Sequence, residues 1–177
     1  MLRLCSTLTA LAVVLVASAL AATKPKRPNT VRYLSPAAFP ELPSPVVREL
    51  ESRKCLVPQY RKTWKATDRI NVVRGEFAKA GQKDWAVVCS TPASMSLLVF
   101  WNSSSTGLAE VSLDAEDGYL LSGSIPKETL LERYKDKLPA VDHDAVGITG
   151  GDDRTIIRYF HEGKWIQLGG VPHDSVK

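Results

Sequence analysis

Trp85-Ala-Val-Val-Cys89 is the segment that most constrains the fold. Five consecutive apolar residues cannot alternate between core and solvent, so the run predicts a strand covered on both faces. A second run, Ser96 to Trp101, follows after Ser90-Thr-Pro-Ala-Ser94 and is expected to pair with it at the centre of a sheet. The first run ends in cysteine, which ties this central strand to the segment that carries its partner.

That partner is Cys55. Residues 1–21 read as a signal peptide: Arg3 supplies the positive charge, Leu8 to Leu20 is apolar, and Ala19-Leu20-Ala21 fits a small-x-small cleavage site. Cys5 falls inside that segment, so Cys55 and Cys89 are the pair left to an exported chain, whose compartment is oxidising. A bridge between them would stabilise the fold by about 3–4 kcal/mol through the unfolded state. The apolar segment is short for a membrane span, and none is expected after cleavage.

The remaining chain, about 155 residues, is enough for one domain with its own core. Its charge is close to balanced. Setting aside Arg3, Lys24, Lys26, Arg27 and Arg32, which lie in the signal or the lead-in, leaves 18 of the 23 basic residues against 19 acidic ones, Glu41 of the lead-in included. The basic pI of the whole chain therefore gives no footing for nucleic-acid binding.

Residues 22–43 form a proline-rich lead-in, with ordered structure expected from Ser44. Pro45 suits a first helical turn, and Val46, Val47 and Leu50 make an apolar stripe through a short helix ending near Arg53. Short strands are expected at Ile70 to Val73, Leu108 to Leu113 and Tyr119 to Leu121. A second helix is expected from Ser124 to Leu138, stopped by Pro139. Thr155 to Phe160 and Lys164 to Leu168 alternate around His161-Glu-Gly163 and predict a terminal hairpin closed by Gly169-Gly170. The expected fold is α+β: a mainly antiparallel sheet, two short helices and one disulfide, in a single domain over 44–171 with a tail at 172–177.

The turn Gly75-Glu-Phe-Ala-Lys-Ala-Gly-Gln-Lys-Asp84, followed by Trp85-Ala-Val87, resembles one degenerate repeat of the FG-GAP type. In that family the acidic residues of the turn bind calcium between two propeller strands. Glu76, Phe77, Gly81, Asp84 and Ala86-Val87 carry the match, whereas Lys79 and Ala80 depart from it. The expectation without a metal is a turn in which Gly81 takes a positive φ and Asp84 accepts backbone hydrogen bonds. More widely, Cys55-Leu-Val-Pro-Gln59, Gly81-Gln-Lys-Asp-Trp-Ala-Val-Val-Cys-Ser90, Asp142-His-Asp144 and Tyr159-Phe-His-Glu-Gly-Lys-Trp165 are similar to a group of bacterial secreted proteins of uncharacterised activity. The resemblance implies export and one shared domain, and carries no reaction.

Candidate chemistry gathers in the acidic segment. Asp142-His143-Asp144 opens like a calcium loop, with Gly147 at the sixth position, but Val146 stands at the fifth and Asp153 at the twelfth. Asp142, His143, Asp144, Asp153 and His161 are the candidate ligands for calcium or zinc, without a His-Glu-x-x-His element in support. Ser103, Ser104 and Ser105 lack the glycine frame of a nucleophile elbow. Asn102-Ser-Ser104 is a glycosylation sequon only in a eukaryotic source. Tyr159 and Trp165 are the candidate recognition residues, because aromatics on a hairpin serve as binding anchors. Together these features predict a secreted or periplasmic, non-enzymatic binding or envelope-associated module, without a cofactor, facing an envelope or extracellular protein or a glycan. The alternative is a secreted metal-assisted hydrolase built on residues 142–161.

Overall fold

The computed structural model describes residues 31–60, 69–113, 120–150 and 154–172. In chain order the elements are β1 (Val31–Leu34), α1 (Ser44–Ser52), β2 (Val57–Tyr60), β3 (Val72–Gly75), β4 (Asp84–Ser90), β5 (Met95–Phe100) and β6 (Ala109–Leu113). They continue with β7 (Leu120–Ile125), α2 (Lys127–Tyr134), β8 (Ala145–Thr149), β9 (Arg154–His161) and β10 (Lys164–Pro172). Short 3-10 turns occupy Pro36–Ala38 and Trp101–Ser103. The fold is α+β with antiparallel pairing throughout: two four-stranded meanders, β3-β4-β5-β6 and β10-β9-β8-β7, and a small sheet of β1 and β2.

The apolar runs explain the layering. Along β4, Trp85, Val87 and Cys89 point one way and pack with Leu98 and Phe100 of β5 against Val46 and Leu50 of α1. Ala86 and Val88 point the other way and meet Leu121, Val146 and Ile148 of the second sheet, together with Leu97 and Val99. The outer face of that second sheet buries Ile157, Tyr159 and Leu168 under Leu130 and Tyr134 of α2. The order of layers is therefore helix, sheet, sheet, helix, and β4 and β5 are buried on both faces because each side has its own cover. No helix among the described residues is long and apolar enough to cross a membrane.

The Cys55–Cys89 disulfide joins the end of the α1 layer to the central strand, with a Cα–Cα distance of 5.3 Å. Beside it Leu56 and Ser90 exchange backbone hydrogen bonds of 2.9 and 2.8 Å. Asn71 ties the three sheets at one point: its Nδ2 donates to the Pro58 carbonyl, its Oδ1 accepts the Leu121 N–H, and its own carbonyl accepts the Val88 N–H. It holds φ 68, a left-handed conformation that asparagine tolerates better than most residues.

Several expectations are corrected. The lead-in is ordered well before Ser44: β1 pairs with β2, and Phe39 and Leu42 enter the core. Proline forbids a long helix there but allows a strap of short strand, 3-10 turn and tight turn, and Pro36 is itself buried. The second helix starts at Lys127, because Ser124 and Ile125 complete β7 and Pro126, at ψ 146, separates strand from helix. Ala145–Thr149, expected to belong to an acidic turn, is a strand buried at every position. Gly169 and Gly170 do not close the hairpin; they fall where the β9–β10 register shifts, between Leu168 and Val171. The signal peptide, the turn at 114–118, Trp64, Asp152, Asp153 and His173 lie outside the described residues.

Candidate functional site

The turn between β3 and β4 is organised by one buried carboxylate. Asp84 is fully buried, and its Oδ2 accepts the N–H groups of Phe77 at 2.8 Å and Ala78 at 3.0 Å. Its Oδ1 accepts Gln82 Nε2 at 2.7 Å and the Asn102 N–H at 2.8 Å, so the same side chain also fixes the turn after β5. Glu76 Oε2 accepts the Gly81 N–H at 2.8 Å, with Gly81 at φ 78. The expected positive φ and backbone-binding carboxylate are both present. Calcium requires six to eight oxygen ligands, and here the Asp84 carboxylate is already taken by four donors, which leaves Glu76 as the one other side-chain carboxylate of the turn, so this turn does not fit the ion.

The acidic segment is divided. His143 is buried between the loop before β8 and the end of β9. Its Nε2 donates to the Phe160 carbonyl at 2.8 Å, while Nδ1 faces Asp142 Oδ1 and, at 3.2 Å, the Tyr159 hydroxyl. The imidazole stacks on the Tyr159 ring with centroids 4.4 Å apart, and that phenol donates to the Ala140 carbonyl at 2.7 Å. The hydrogen bond from His143 holds the Asp142 carboxyl below the usual carboxylate range, against a smaller opposing effect of burial. Burial pushes the Tyr159 phenol up, because the phenolate would lose its water.

Asp144 turns away from this group. Its N–H donates to the Glu76 carbonyl at 3.0 Å, its Oδ2 accepts the Ser124 hydroxyl at 2.7 Å, and its Oδ1 accepts the Lys127 N–H at 3.3 Å. It therefore satisfies an orphan donor at the first turn of α2. His161 is half-buried, with its ring 6.4 Å from that of Tyr159 and its Nε2 3.9 Å from Glu162 Oε1. Of the expected ligands, Asp142 and His143 meet, His161 stands next along β9, Asp144 is elsewhere, and Asp153 lies outside the described residues. Among the described residues no group of three or more His, Cys, Asp or Glu side chains is placed to hold a metal ion.

Of the two candidate recognition residues, Tyr159 is fully buried and only Trp165 reaches the surface. Trp165 joins a three-ring cluster with Trp101 and Phe160, each half-buried. Centroids are 4.6 Å apart for Trp101 and Phe160, 6.0 Å for Trp101 and Trp165, and 5.0 Å for Phe160 and Trp165. The rings come from both meanders and sit at one end of the inter-sheet layer. The sequence places Trp101 at the end of a central strand and Phe160 at the end of a hairpin strand, with nothing to join either to Trp165. The signal that finds Phe160 is register: across a two-residue turn at Glu162-Gly163 it stands opposite Trp165, on the face that Tyr159 does not share. Comparison of the chain with protein-family models, with curated proteins and with solved structures finds no match.

Proposed function

We propose that this chain is an exported, non-enzymatic binding domain of the periplasm or extracellular space, which meets an envelope or extracellular protein or a glycan through the aromatic end at Trp165. The observation that carries the reading is the gathering of Trp101, Phe160 and Trp165 from two sheets into one half-exposed cluster. Half-exposed aromatics concentrate binding energy because a partner can desolvate them without unfolding anything. The disulfide suits an oxidising compartment. The polar groups of His143 and Asp144 are engaged in holding loops, which favours structure over turnover for that segment.

The competing reading, a secreted metal-assisted hydrolase, rests on the Asp142–His143–Tyr159 network with His161 close by. One experiment separates the two. The mature oxidised protein and its Trp165→Ala and His143→Gln variants are titrated against immobilised cell-wall glycan and purified envelope protein fractions, with tryptophan fluorescence as readout. Hydrolysis of the same glycan and of ester and peptide substrates is followed in parallel. Binding lost in Trp165→Ala and kept in His143→Gln supports the binding domain. Turnover abolished by His143→Gln, or binding indifferent to Trp165→Ala, overturns it.

A further inference from the structure

We propose that the free edge of β10 pairs with the same edge of a second copy of this chain, joining the two outer sheets into one continuous eight-stranded sheet. Among the described residues β10 is an outermost strand of its meander and the longest strand. Long exposed edges pair with other chains unless something blocks them. Lys164, Gln167 and Gly169 are all exposed along it.

The register fixes which backbone groups are available. Glu162 and Gly163 both have positive φ, 47 and 79, which makes a two-residue hairpin of the primed kind. In such a hairpin the flanking pair, His161 and Lys164, is hydrogen-bonded, and bonding alternates along the ladder. Lys164, Ile166 and Leu168 therefore turn their N–H and C=O groups to β9. Trp165 and Gln167 turn theirs to the free edge, and so does the Gly169 N–H, which follows the Leu168 carbonyl where the β9–β10 register begins to shift. The Gly169 carbonyl accepts the Tyr134 hydroxyl at 3.3 Å and keeps a second lone pair.

The same residues are self-complementary about Gln167. Antiparallel pairing of two β10 strands centred there sets Gln167 against Gln167 of the second copy, in a hydrogen-bonded pair, and Trp165 against its Gly169. On the helix side it sets Ile166 against Leu168. The indole then faces the residue without a side chain, and a β-carbon built on Gly169 would have nothing within 4 Å, so the space is open. Large against small, amide against amide and apolar against apolar is what an isologous contact needs, since each residue must suit its own mirror position. β6, an outer strand of the other meander, has five residues against nine and offers no such symmetry. This inference does not depend on the binding reading above.

The test is sedimentation velocity of the mature oxidised protein over a wide range of concentration, with three variants. The wild type should shift from monomer to dimer as concentration rises. Gln167→Glu places two carboxylates against each other at the axis, and like charges directly opposite on paired strands repel. It should weaken dimerisation by about tenfold or more, which corresponds to roughly 1.4 kcal/mol. Lys164→Glu, away from the axis, should leave it within a few-fold. Gln167→Cys should form an intermolecular disulfide under mild oxidation, because hydrogen-bonded antiparallel partners lie about 5.5 Å apart, within disulfide reach. Position 167 is exposed, so unchanged melting is expected for its variants. A wild type that stays monomeric throughout, a dimer indifferent to Gln167→Glu, or a Gln167→Cys chain that does not cross-link would each overturn the proposal.

Discussion

Removing the Asp84 carboxylate tests the architecture at a buried side chain that accepts four hydrogen bonds. Asp84→Ala deletes four hydrogen bonds, three of them from backbone N–H groups at Phe77, Ala78 and Asn102. An orphaned buried donor costs about 1–3 kcal/mol, and one that water can reach costs less. The Phe77 N–H is buried, while those of Ala78 and Asn102 are partly accessible. The expected loss is therefore about 3–4 kcal/mol, well below the sum of four charge-assisted bonds. Asp84→Asn should cost about half as much, near 1–2 kcal/mol. Its amide oxygen can take the place of Oδ2 and keep Phe77 and Ala78. Its Nδ2 then meets Gln82, whose amide can rotate to present oxygen, and only the Asn102 N–H is orphaned. Urea unfolding of the oxidised chain, followed by tryptophan fluorescence with Trp85 beside the mutated position, gives both values if the slope is unchanged. A loss under about 1 kcal/mol for Asp84→Ala, or equal losses for the two variants, would refute this account, because the ranking rests on which donors stay satisfied.

Cys55→Ala/Cys89→Ala opens a loop with a sequence separation of 34 and should destabilise by about 3–4 kcal/mol, measured as a lower urea midpoint at constant slope. Gly75→Ala drives a methyl group into the Phe77 ring and to 2.8 Å from the Ser124 hydroxyl, and should cost about 1–3 kcal/mol in the same assay. Tyr159→Phe reports on alkaline stability. Because burial raises the folded-state phenol pKa, the unfolded chain loses its proton first, so this contribution is intact below about pH 10 and is lost as pH rises further. The variant should melt lower at neutral pH through loss of the bond to Ala140, yet fall less steeply than wild type above that pH; parallel alkaline curves would show that Tyr159 is not responsible.

Legibility in the sequence follows burial and span. The central pair β4 and β5 is readable because five or six apolar residues in a row leave no other placement, and the Cys55–Cys89 bridge is readable because the two cysteines outside the apolar N-terminal segment make a single pair. β8 is equally apolar but goes unread, since the acids ahead of it draw a loop assignment and Gly147 interrupts the run. A β-carbon there would sit 2.9 Å from the terminal methyl of Ile125, so the glycine spares that side chain a shift. The strap through Phe39 and Leu42 is missed because proline composition reports which conformations are forbidden and says nothing of what the segment lies against. The aromatic cluster is invisible to local pattern, since Trp101 and Phe160 meet only once the two meanders stack.

The stacking also explains why the acidic residues look like ligands. Each meander carries an aspartate at the head of its second strand, Asp84 opening β4 and Asp144 just ahead of β8. In both the carboxylate gathers N–H or hydroxyl donors from the chain that follows the first strand or ends it: Phe77 and Ala78 for the one, Ser124 and Lys127 for the other. Both meanders then place two successive positive-φ residues after their third strand, Asn102-Ser103 and Glu162-Gly163. A strand that leaves a turn exposes unpaired backbone donors at its mouth, and a carboxylate at its first position is the shortest side chain that can accept several of them. The same chemistry in a calcium loop turns the oxygens outward to an ion; here they turn inward to the backbone. Asp84 and Asp144, each heading a strand, both mark a backbone tie, in the meander that carries α2 as in the meander with the short turn.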